Sequence, residues 1–590
     1  MGGDRSLTHS RKRRRTDSES ETESESESEP EPSDYLHSVL EDCHLALTPT
    51  NADDADRTIP PQPRVDTILH LALAQVKKNL QKEYSLDTLK TVFWSYEQVI
   101  SLHDPDDDGD EILDCTLDYV LWYGKEPHLE TNCIVICAEE PISGAEEYAP
   151  IVAAVDVIHH NRAQRGVKKE TFGIFTDGFT WVFRHLDEEN MASPTVVKRM
   201  DGIEQAIIDT VSAVLEKAAT TRLLYRQPLG DWETRPSMWD WDQHAVFYWE
   251  GGVTFTRATD TSRVASFFRS MKTAWLKKVY SKRQKNSKES KEAEDTYGLA
   301  QTSDEGTDRT SDRSTRSVFI KESTDQAAEK PAGKPEEKNL PSMAVTELTD
   351  YEVEDIFDLS YEENPGDVWH LNASERRRVP EYLHITLNEF DLAFGRSDRN
   401  AIVIRARLNV ILCTTLAGTK REKLDQYSRE KGPDKCVSSS TESNASSYNS
   451  LHWSLGINLL QPCTHENTRK MLRGRVDYCL WYGRHKEAET NLVVVTPKRS
   501  RNSTEGLYPV LAHLSMIMHA RKKPGRTSNA LYGIATDSWF WTFIRLDTQG
   551  KISTHTLHWR EGRQVEIISH LSRIMQRAAA LSQPTHRDRP

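Results

Sequence analysis

The chain has 590 residues, a formal net charge of −15 at pH 7 and 37% hydrophobic residues. This length leaves room for several domains, and the low hydrophobic share predicts that a good part of the chain is unfolded. The acidic balance argues against a surface that coats nucleic acid uniformly but leaves room for a local basic groove, and the lack of a signal peptide or a long apolar run predicts an intracellular protein without membrane contact.

Residues 1–60 are predicted to form a disordered tail. The segment 18–33 alternates Ser with Glu and contains almost nothing apolar, so it cannot bury enough surface to offset the entropy lost on ordering. Five basic residues just before it form a candidate nuclear localisation sequence: Arg11, Lys12, Arg13, Arg14 and Arg15. The alternative is a basic cluster in the tail that no receptor binds.

Residues 63–225 carry the pattern of an α/β domain, here called module 1. Ile68, Leu71, Val76 and Leu80 recur at helical spacing and predict an amphipathic helix over 67–82. The patterns after it predict a strand at 96–102, two further strands, a helix at 148–160, a hairpin at 172–183 that turns at Asp177-Gly178, and a helix at 203–217. This order predicts a mixed central sheet flanked by helices.

Two segments separate module 1 from the next domain. Residues 226–280 are rich in Trp and Phe, which suit either stacking on unpaired bases or docking of a connector on a domain. Docking, or the filling of a small core, is favoured because tryptophans this dense usually have such a role, and Asp240 and Asp242 among them also disfavour nucleic acid. Residues 281–345 are rich in charged and hydroxyl residues and predict a flexible linker.

Residues 346–585 repeat the pattern of module 1 and are here called module 2. Its first helix is predicted at 398–416, and the polar residues 419–450 predict a disordered insertion. The patterns after it predict a strand at 452–460, two further strands, a helix at 508–522, a hairpin at 531–543, a strand at 553–559 and a helix at 565–578.

The strongest signal is a pair of strand patterns that occurs once in each module. In module 2 the patterns are Arg475-Val-Asp-Tyr-Cys-Leu-Trp-Tyr-Gly483 and Glu489-Thr-Asn-Leu-Val-Val-Val-Thr-Pro-Lys498. In module 1 they are Leu117-Asp-Tyr-Val-Leu-Trp-Tyr-Gly124 and Glu130-Thr-Asn-Cys-Ile-Val-Ile-Cys-Ala-Glu139. The positions match at one constant offset, so the chain contains one module twice.

An Asp on one strand that faces two alternate positions on the next is a layout of metal-dependent hydrolases. The pair of patterns resembles the PD-(D/E)XK nuclease-like superfamily, and specifically its fungal proteins. The resemblance implies two restriction-endonuclease-like modules and, in an active copy, Mg²⁺ held by carboxylates beside a catalytic lysine. It assigns the metal-binding and catalytic carboxylate to Asp477 and the catalytic amine to Lys498.

Both copies depart from the family pattern. Position 496, where the second metal carboxylate is expected, is Thr in module 2, and module 1 has Cys137 and Glu139 where the carboxylate and the lysine are expected. Asp118 is then a vestigial counterpart of Asp477. Since the loss of even an indirect metal partner costs about 10–100-fold in affinity or activity, we expect inactive or weakened chemistry.

A basic cluster follows the motif in module 2. Its candidate phosphate-binding residues are Arg499, Arg501, Arg521 and Lys522, and the alternative is a solvated basic face. Glu389 and Asp391, near the first helix, are candidates to replace the missing carboxylate.

The sequence therefore predicts two nuclease-like modules that act in binding or scaffolding, with nucleic acid at module 2 and other proteins as candidate partners. One alternative is an active Mg²⁺-dependent nuclease in module 2. The other is an acidic interaction scaffold that never contacts nucleic acid. The sequence does not define the oligomeric state.

Overall fold

The computed structural model describes residues 32–48, 60–103, 112–123, 131–138, 142, 149–164, 170–186, 192–198, 204–226, 340–363, 366–394, 401–431, 447–482, 490–495, 507–521 and 529–581. These residues form a mixed α/β protein with two mixed sheets flanked by helices, which confirms the predicted fold class at that level. Residues 227–339, with the predicted aromatic connector and nearly all of the charged linker, lie outside this part of the chain.

The first sheet belongs to module 1. The elements in chain order are α1 (Pro32–Leu47), α2 (Gln62–Leu80), α3 (Leu86–Leu89), β1 (Val92–His103), β2 (Ile112–Tyr123), β3 (Cys133–Cys137), α4 (Ala149–Gln164), β4 (Thr171–Thr176), β5 (Thr180–Leu186), β6 (Ala192–Lys198) and α5 (Glu204–Arg226). The strands lie side by side in the order β1-β2-β3-β4-β5-β6. Only the β3–β4 pair is parallel, because α4 carries the chain from one strand to the next.

The second sheet belongs to module 2. Its elements are β7 (Ser342–Ala344), α6 (Asp350–Phe357), β8 (Ser360–Tyr361), α7 (Gly366–Trp369), α8 (Glu381–Phe394), α9 (Ala401–Lys431), β9 (His452–His465), β10 (Thr468–Trp481), β11 (Thr490–Val495), α10 (Leu507–Arg521), β12 (Leu531–Thr536), β13 (Phe540–Leu546), β14 (Lys551–His558) and α11 (Gln564–Leu581). Strands β9 to β14 repeat the order of the first sheet, and β11 and β12 form the parallel pair. The two modules therefore share one topology.

A glycine in each sheet lets the crossover helix pack closely. A Cβ atom at Gly533 in β12 would lie 2.3 Å from Cγ1 of Val510 in α10, and one at Gly173 in β4 would lie 2.4 Å from Cγ2 of Val155 in α4. Such contacts are shorter than any that packed carbon atoms adopt. Both helices consequently approach their sheets to a distance that no larger residue permits without movement.

Module 2 has an additional segment, residues 342–361, that passes around α10. Strand β7 pairs with β10, and β8 pairs with β14 at the far edge of the sheet. Val345 and Val353 from this segment pack in one apolar cluster with α10, which is buried continuously from Val510 to Met518. The described residues of module 1 contain no counterpart of this segment.

Each module packs one of its helices on the other module. Helix α1 packs on α9, and helix α8 packs on α2. Nζ of Lys420 in α9 donates to the carbonyl oxygen of Leu45 at the end of α1 (2.8 Å). Nζ of Lys77 in α2 likewise donates to the carbonyl oxygens of Leu392 (2.9 Å) and Ala393 (2.8 Å) at the end of α8. The exchange of helices is reciprocal, so the modules are interlocked.

The structure corrects three predicted boundaries. Residues 32–47, placed in the disordered tail 1–60, form α1 because their apolar side chains are buried in the core shared with α9. Helix α9 runs to Lys431, into the predicted insertion 419–450, because Thr419 and Lys420 are buried against neighbouring helices. Module 2 begins at Ser342 rather than at 346, because β7 joins the sheet.

Helix α9 is the one described helix that is long and apolar enough, by composition, to cross a membrane, over Ile402–Arg429; its most apolar 18-residue window has a mean hydropathy of 1.4. In the structure 83% of its most apolar window is buried inside the protein. Contacts with α1, α2, α8 and α11 account for this apolar character.

Candidate functional site

In module 1, the motif aspartate Asp118 hydrogen-bonds to the adjacent strand. Its Oδ2 accepts a hydrogen bond from the backbone N–H of Cys137, at 2.7 Å, and its side chain is 8% exposed. Cys137 is the last residue of β3 and occupies the position where the nuclease pattern has its second carboxylate. The structure therefore brings the two motif positions together as predicted, and the aspartate stabilises the end of a strand.

Both motif aspartates lie where a strand twists sharply. Leu117 packs in the apolar cluster between the sheet and α4. Tyr119, two residues later, packs in the separate cluster that contains helices α2 and α9. Val476 and Tyr478 differ in the same way around Asp477. Because residues two apart on a flat strand share one face, each strand must rotate at its aspartate.

A left-handed glycine permits this twist in module 2. Gly456 in β9 has φ 63°, a conformation that residues with a side chain rarely adopt. It lies next to Leu455, which pairs with Tyr478, and a Cβ atom at this position would lie 3.1 Å from Nη2 of Arg475. The glycine therefore leaves room for the arginine that begins the motif.

Asp477 of module 2 is more accessible than Asp118, since it is only partly buried. Burial raises the pKa of Tyr478 well above its ordinary value, and the charge of Asp477 raises it further. The other motif residues predicted for catalysis and phosphate binding, Lys498, Arg499, Arg501 and Lys522, lie outside the described residues, as do Thr496 and the basic residues 11–15.

Arg521 is the one predicted phosphate-binding residue that the structure describes. Its guanidinium is buried, donates from Nη2 to the hydroxyl of Tyr482 at 3.0 Å, and lies 6.0 Å from the centre of the same ring. Arg162, at the matching position of α4, is also buried and donates to the carbonyl oxygen of Thr131 at 3.4 Å. In both modules this arginine connects the crossover helix to the end of a motif strand.

The two carboxylates proposed to replace the missing ligand make ion pairs with other helices. Glu389 in α8 pairs with Nζ of Lys78 in α2 at 2.6 Å. Asp391 pairs with Arg407 in α9 at 2.7 Å, and Arg407 also covers the ring of Trp539 at 4.8 Å. Glu389 thus pairs across the interface between the modules, whereas Asp391 joins two helices of module 2.

The residues of module 1 do not fit a Mg²⁺ site. A hard cation requires several oxygen ligands, and the neighbour of Asp118 at the second motif position is a cysteine. Across the part of the chain that the structure describes, no group of three or more His, Cys, Asp or Glu residues is placed to hold a metal ion.

The structure adds basic residues that sequence reasoning did not select. Arg473 and Arg475 are exposed on β10, just before Asp477, and Arg469 is exposed nearer the start of that strand. The signal was present in the sequence, since Leu472 and Val476 are apolar and the arginines occupy the alternate positions between them. This alternation is typical of a strand with one buried and one solvated face.

A chain of hydrogen bonds joins the strands that carry the two motif aspartates. Tyr119 donates its hydroxyl proton to Oδ1 of Asp66 in α2 at 2.8 Å, and Tyr478 donates to Oδ1 of Asn409 in α9 at 2.8 Å. Nδ2 of Asn409 then donates to Oδ2 of Asp66 at 3.0 Å, and both side chains are fully buried. Each tyrosine directly follows a motif aspartate, so the two candidate sites are connected through the module interface.

Comparison with protein-family models and with curated protein sequences finds no match for this chain.

Proposed function

We propose that this protein is a nuclease-like scaffold that binds its partner without hydrolysing it. In this proposal both modules have the restriction-endonuclease-like fold implied by the sequence motifs, and the pair acts as one rigid binding unit. Module 2 presents the binding surface, and nucleic acid is the candidate partner.

The observation that carries the proposal is the hydrogen bond from Cys137 to Asp118. A carboxylate that accepts a strand amide at 2.7 Å while 8% exposed is a structural acceptor, and its neighbour offers sulfur where a hard cation requires oxygen. The ion pairs of Glu389 and Asp391 support binding without hydrolysis, because each carboxylate is already paired with a basic side chain rather than placed to bind a metal ion.

The exposed arginines of β10 support the choice of module 2 as the binding surface. Arg473 and Arg475 project from the strand that carries Asp477, and module 1 has Asp114 and Thr116 at these register positions opposite β1. Lysine and arginine side chains give phosphate backbones sequence-independent affinity. The overall charge of −15 restricts such contact to a local surface.

The test uses the full-length protein, because α1 of the N-terminal half packs on α9 and an isolated module 2 would lose that helix. Binding of fluorescent single- and double-stranded DNA and RNA is measured by anisotropy at several salt concentrations. Replacing Arg473 and Arg475 together by Gln should weaken binding and lower the slope of log affinity against log salt by about two. Replacing the exposed Arg376 and Arg378 by Gln is the matched control.

The rival functions give different results in the same preparation. An active nuclease would cleave the probes in Mg²⁺ or Mn²⁺ and lose that activity in Asp477→Ala. A scaffold that never contacts nucleic acid would show no binding at low salt. Either result would replace the proposal.

A further inference from the structure

The buried contact between the modules is asymmetric, although the modules share one topology. Asp66 and Asn409 occupy the same position of the paired helices α2 and α9, since each accepts the hydroxyl proton of the equivalent tyrosine. Trp94 and Trp453 confirm the equivalence, because their indole N–H groups donate to Leu69 and Leu412, each three residues further along, at 3.2 Å in both modules. At this position one module has an acid and the other has its amide.

We propose that Asp66 and Asn409 are specificity residues that allow module 1 to pair with module 2 of the same chain and disfavour pairing of like modules. The amide of Asn409 supplies the proton that Asp66 accepts at 3.0 Å. In a pair of two module 1 copies, two buried carboxylates would face each other without a donor. One of them would have to take up a proton or break the contact.

Arg405 strengthens the preference. Its Nε lies 3.5 Å from Oδ2 of Asp66, so module 2 supplies both the amide and a cation to the carboxylate of module 1. Gln62 occupies the position in α2 that Arg405 has in α9, four residues before the central pair. A pair of module 1 copies would therefore lack this cation, and a pair of module 2 copies would have two arginines and no carboxylate.

Side-chain size at the exchanged helices points to the same pairing. Cys43 of α1 lies against Cys413 of α9, which places two small buried residues together. On the other side, the ring of His70 in α2 lies 5.2 Å from the ring of Phe390 in α8. Pairs of like modules would place Phe390 beside Cys413 and Cys43 beside His70, which changes the volume that each contact must fill.

Other polar contacts across the interface do not distinguish the two kinds of pair. Lys78 pairs with Glu389, and Arg421 pairs with Asp42 at the matching positions. In both cases the basic residue is on α2 or α9, and the acidic residue is on the helix that packs on it from the other module, α8 or α1. The preference for pairing unlike modules therefore comes from Asp66 and Asn409, and from the neighbouring contacts of Cys43 with Cys413 and of His70 with Phe390.

The test compares four full-length proteins: wild type, Asn409→Asp, Asp66→Asn and Asp66→Asn/Asn409→Asp. Asn409→Asp should raise the equilibrium constant for unfolding by at least about 10-fold at pH 8 and less at pH 5, since one carboxylate can be protonated there. The double variant reverses the pair and should recover most of that loss. The single Asp66→Asn should change the constant by less than about 10-fold, because two amides still donate and accept.

Two results would overturn the proposal. The first is a double variant no more stable than Asn409→Asp, which would show that the two positions are not coupled. The second comes from sedimentation velocity of the wild type: a dimer across the micromolar range would mean that the modules pair between chains. A monomer at all concentrations, with coupled variants, is the expected result.

Discussion

Nζ of Lys77 in α2 donates a hydrogen bond to the carbonyl oxygen of Ala393, 2.8 Å away at the C-terminal end of α8. Helix α8 belongs to module 2, so this hydrogen bond crosses the interface between the modules. The same amine also donates to the carbonyl oxygen of Leu392 at 2.9 Å. The last carbonyl groups of a helix have no partner within it, so Lys77 satisfies acceptors that the interface would otherwise bury.

Lys77→Met should lower the free energy of unfolding by about 1–3 kcal/mol, because it leaves buried carbonyl groups without a donor while keeping most of the apolar stem. The measurement is chemical denaturation of the full-length protein. Lys90→Met is the control, since Lys90 makes a surface pair with the exposed Asp87. Equal effects from both substitutions would contradict the assigned role of Lys77.

Replacement by alanine is predicted to have opposite effects at two glycines, one under helix α10 and one inside helix α9. Gly533→Ala should destabilise the protein by about 1–3 kcal/mol, because the new methyl group would overlap Val510 and Leu514 and force the helix outward. Gly418→Ala should stabilise it by up to about 1 kcal/mol, since Gly418 is inside helix α9 with nothing within 4 Å of the added atom. Thermal unfolding of both variants checks the prediction, and a loss in Gly418→Ala would show that α9 is packed differently.

Asp118 is expected to act through its hydrogen bond rather than through its charge. Asp118→Asn keeps an oxygen that can accept from Cys137 and should cost less than about 1 kcal/mol of unfolding free energy. Asp118→Ala leaves that buried amide without its acceptor and should cost about 1–3 kcal/mol. A metal-binding role would instead make both variants equally defective in Mg²⁺ binding, which calorimetric titration of each protein measures.

The strands and most helices were predictable because their signals are local. Alternating apolar residues and the Asp177-Gly178 turn predicted the hairpin of β4 and β5, and the structure confirms it, with φ 84° at Gly178 and both Asp177 carboxylate oxygens accepting backbone N–H groups. The constant offset between the motif strands likewise predicted two copies of one topology. Each of these elements can be predicted from its own segment of sequence, without information about the other module.

The exchanged helices were missed because their partners are distant in sequence. Tyr35-Leu-His37 in α1 and Tyr382-Leu-His384 in α8 begin the same pattern, but at an offset different from that of the strands, so a search at one offset does not find them. Helix α1 also follows a Ser/Glu-rich segment, which led to its assignment to the tail. Only the burial of Leu36, Val39 and Leu40 in the shared core shows that it belongs to the fold.

Acid should destabilise this protein well above the pH at which most carboxylates titrate, because three histidines are held neutral in the core. Burial lowers the pKa of His70 and His513 to about 4 and that of His570 to about 3. An unfolded histidine titrates near 6.5, so between that pH and about 4 the unfolded chain binds protons that the folded protein does not. Stability is therefore full above pH 6.5 and falls as the pH decreases through this range, by up to about 4 kcal/mol per pH unit for three sites.

Replacing one of these histidines isolates its share of the pH dependence. In His513→Leu the slope of the unfolding free energy between pH 6.5 and 5 should decrease by up to about 1.4 kcal/mol per pH unit, since up to one fewer proton is taken up on unfolding. His384→Leu, at an exposed position of α8, is the matched control. The slope is independent of any loss of packing, so a His513→Leu variant with lower stability but the wild-type slope would show that burial does not lower the pKa of His513.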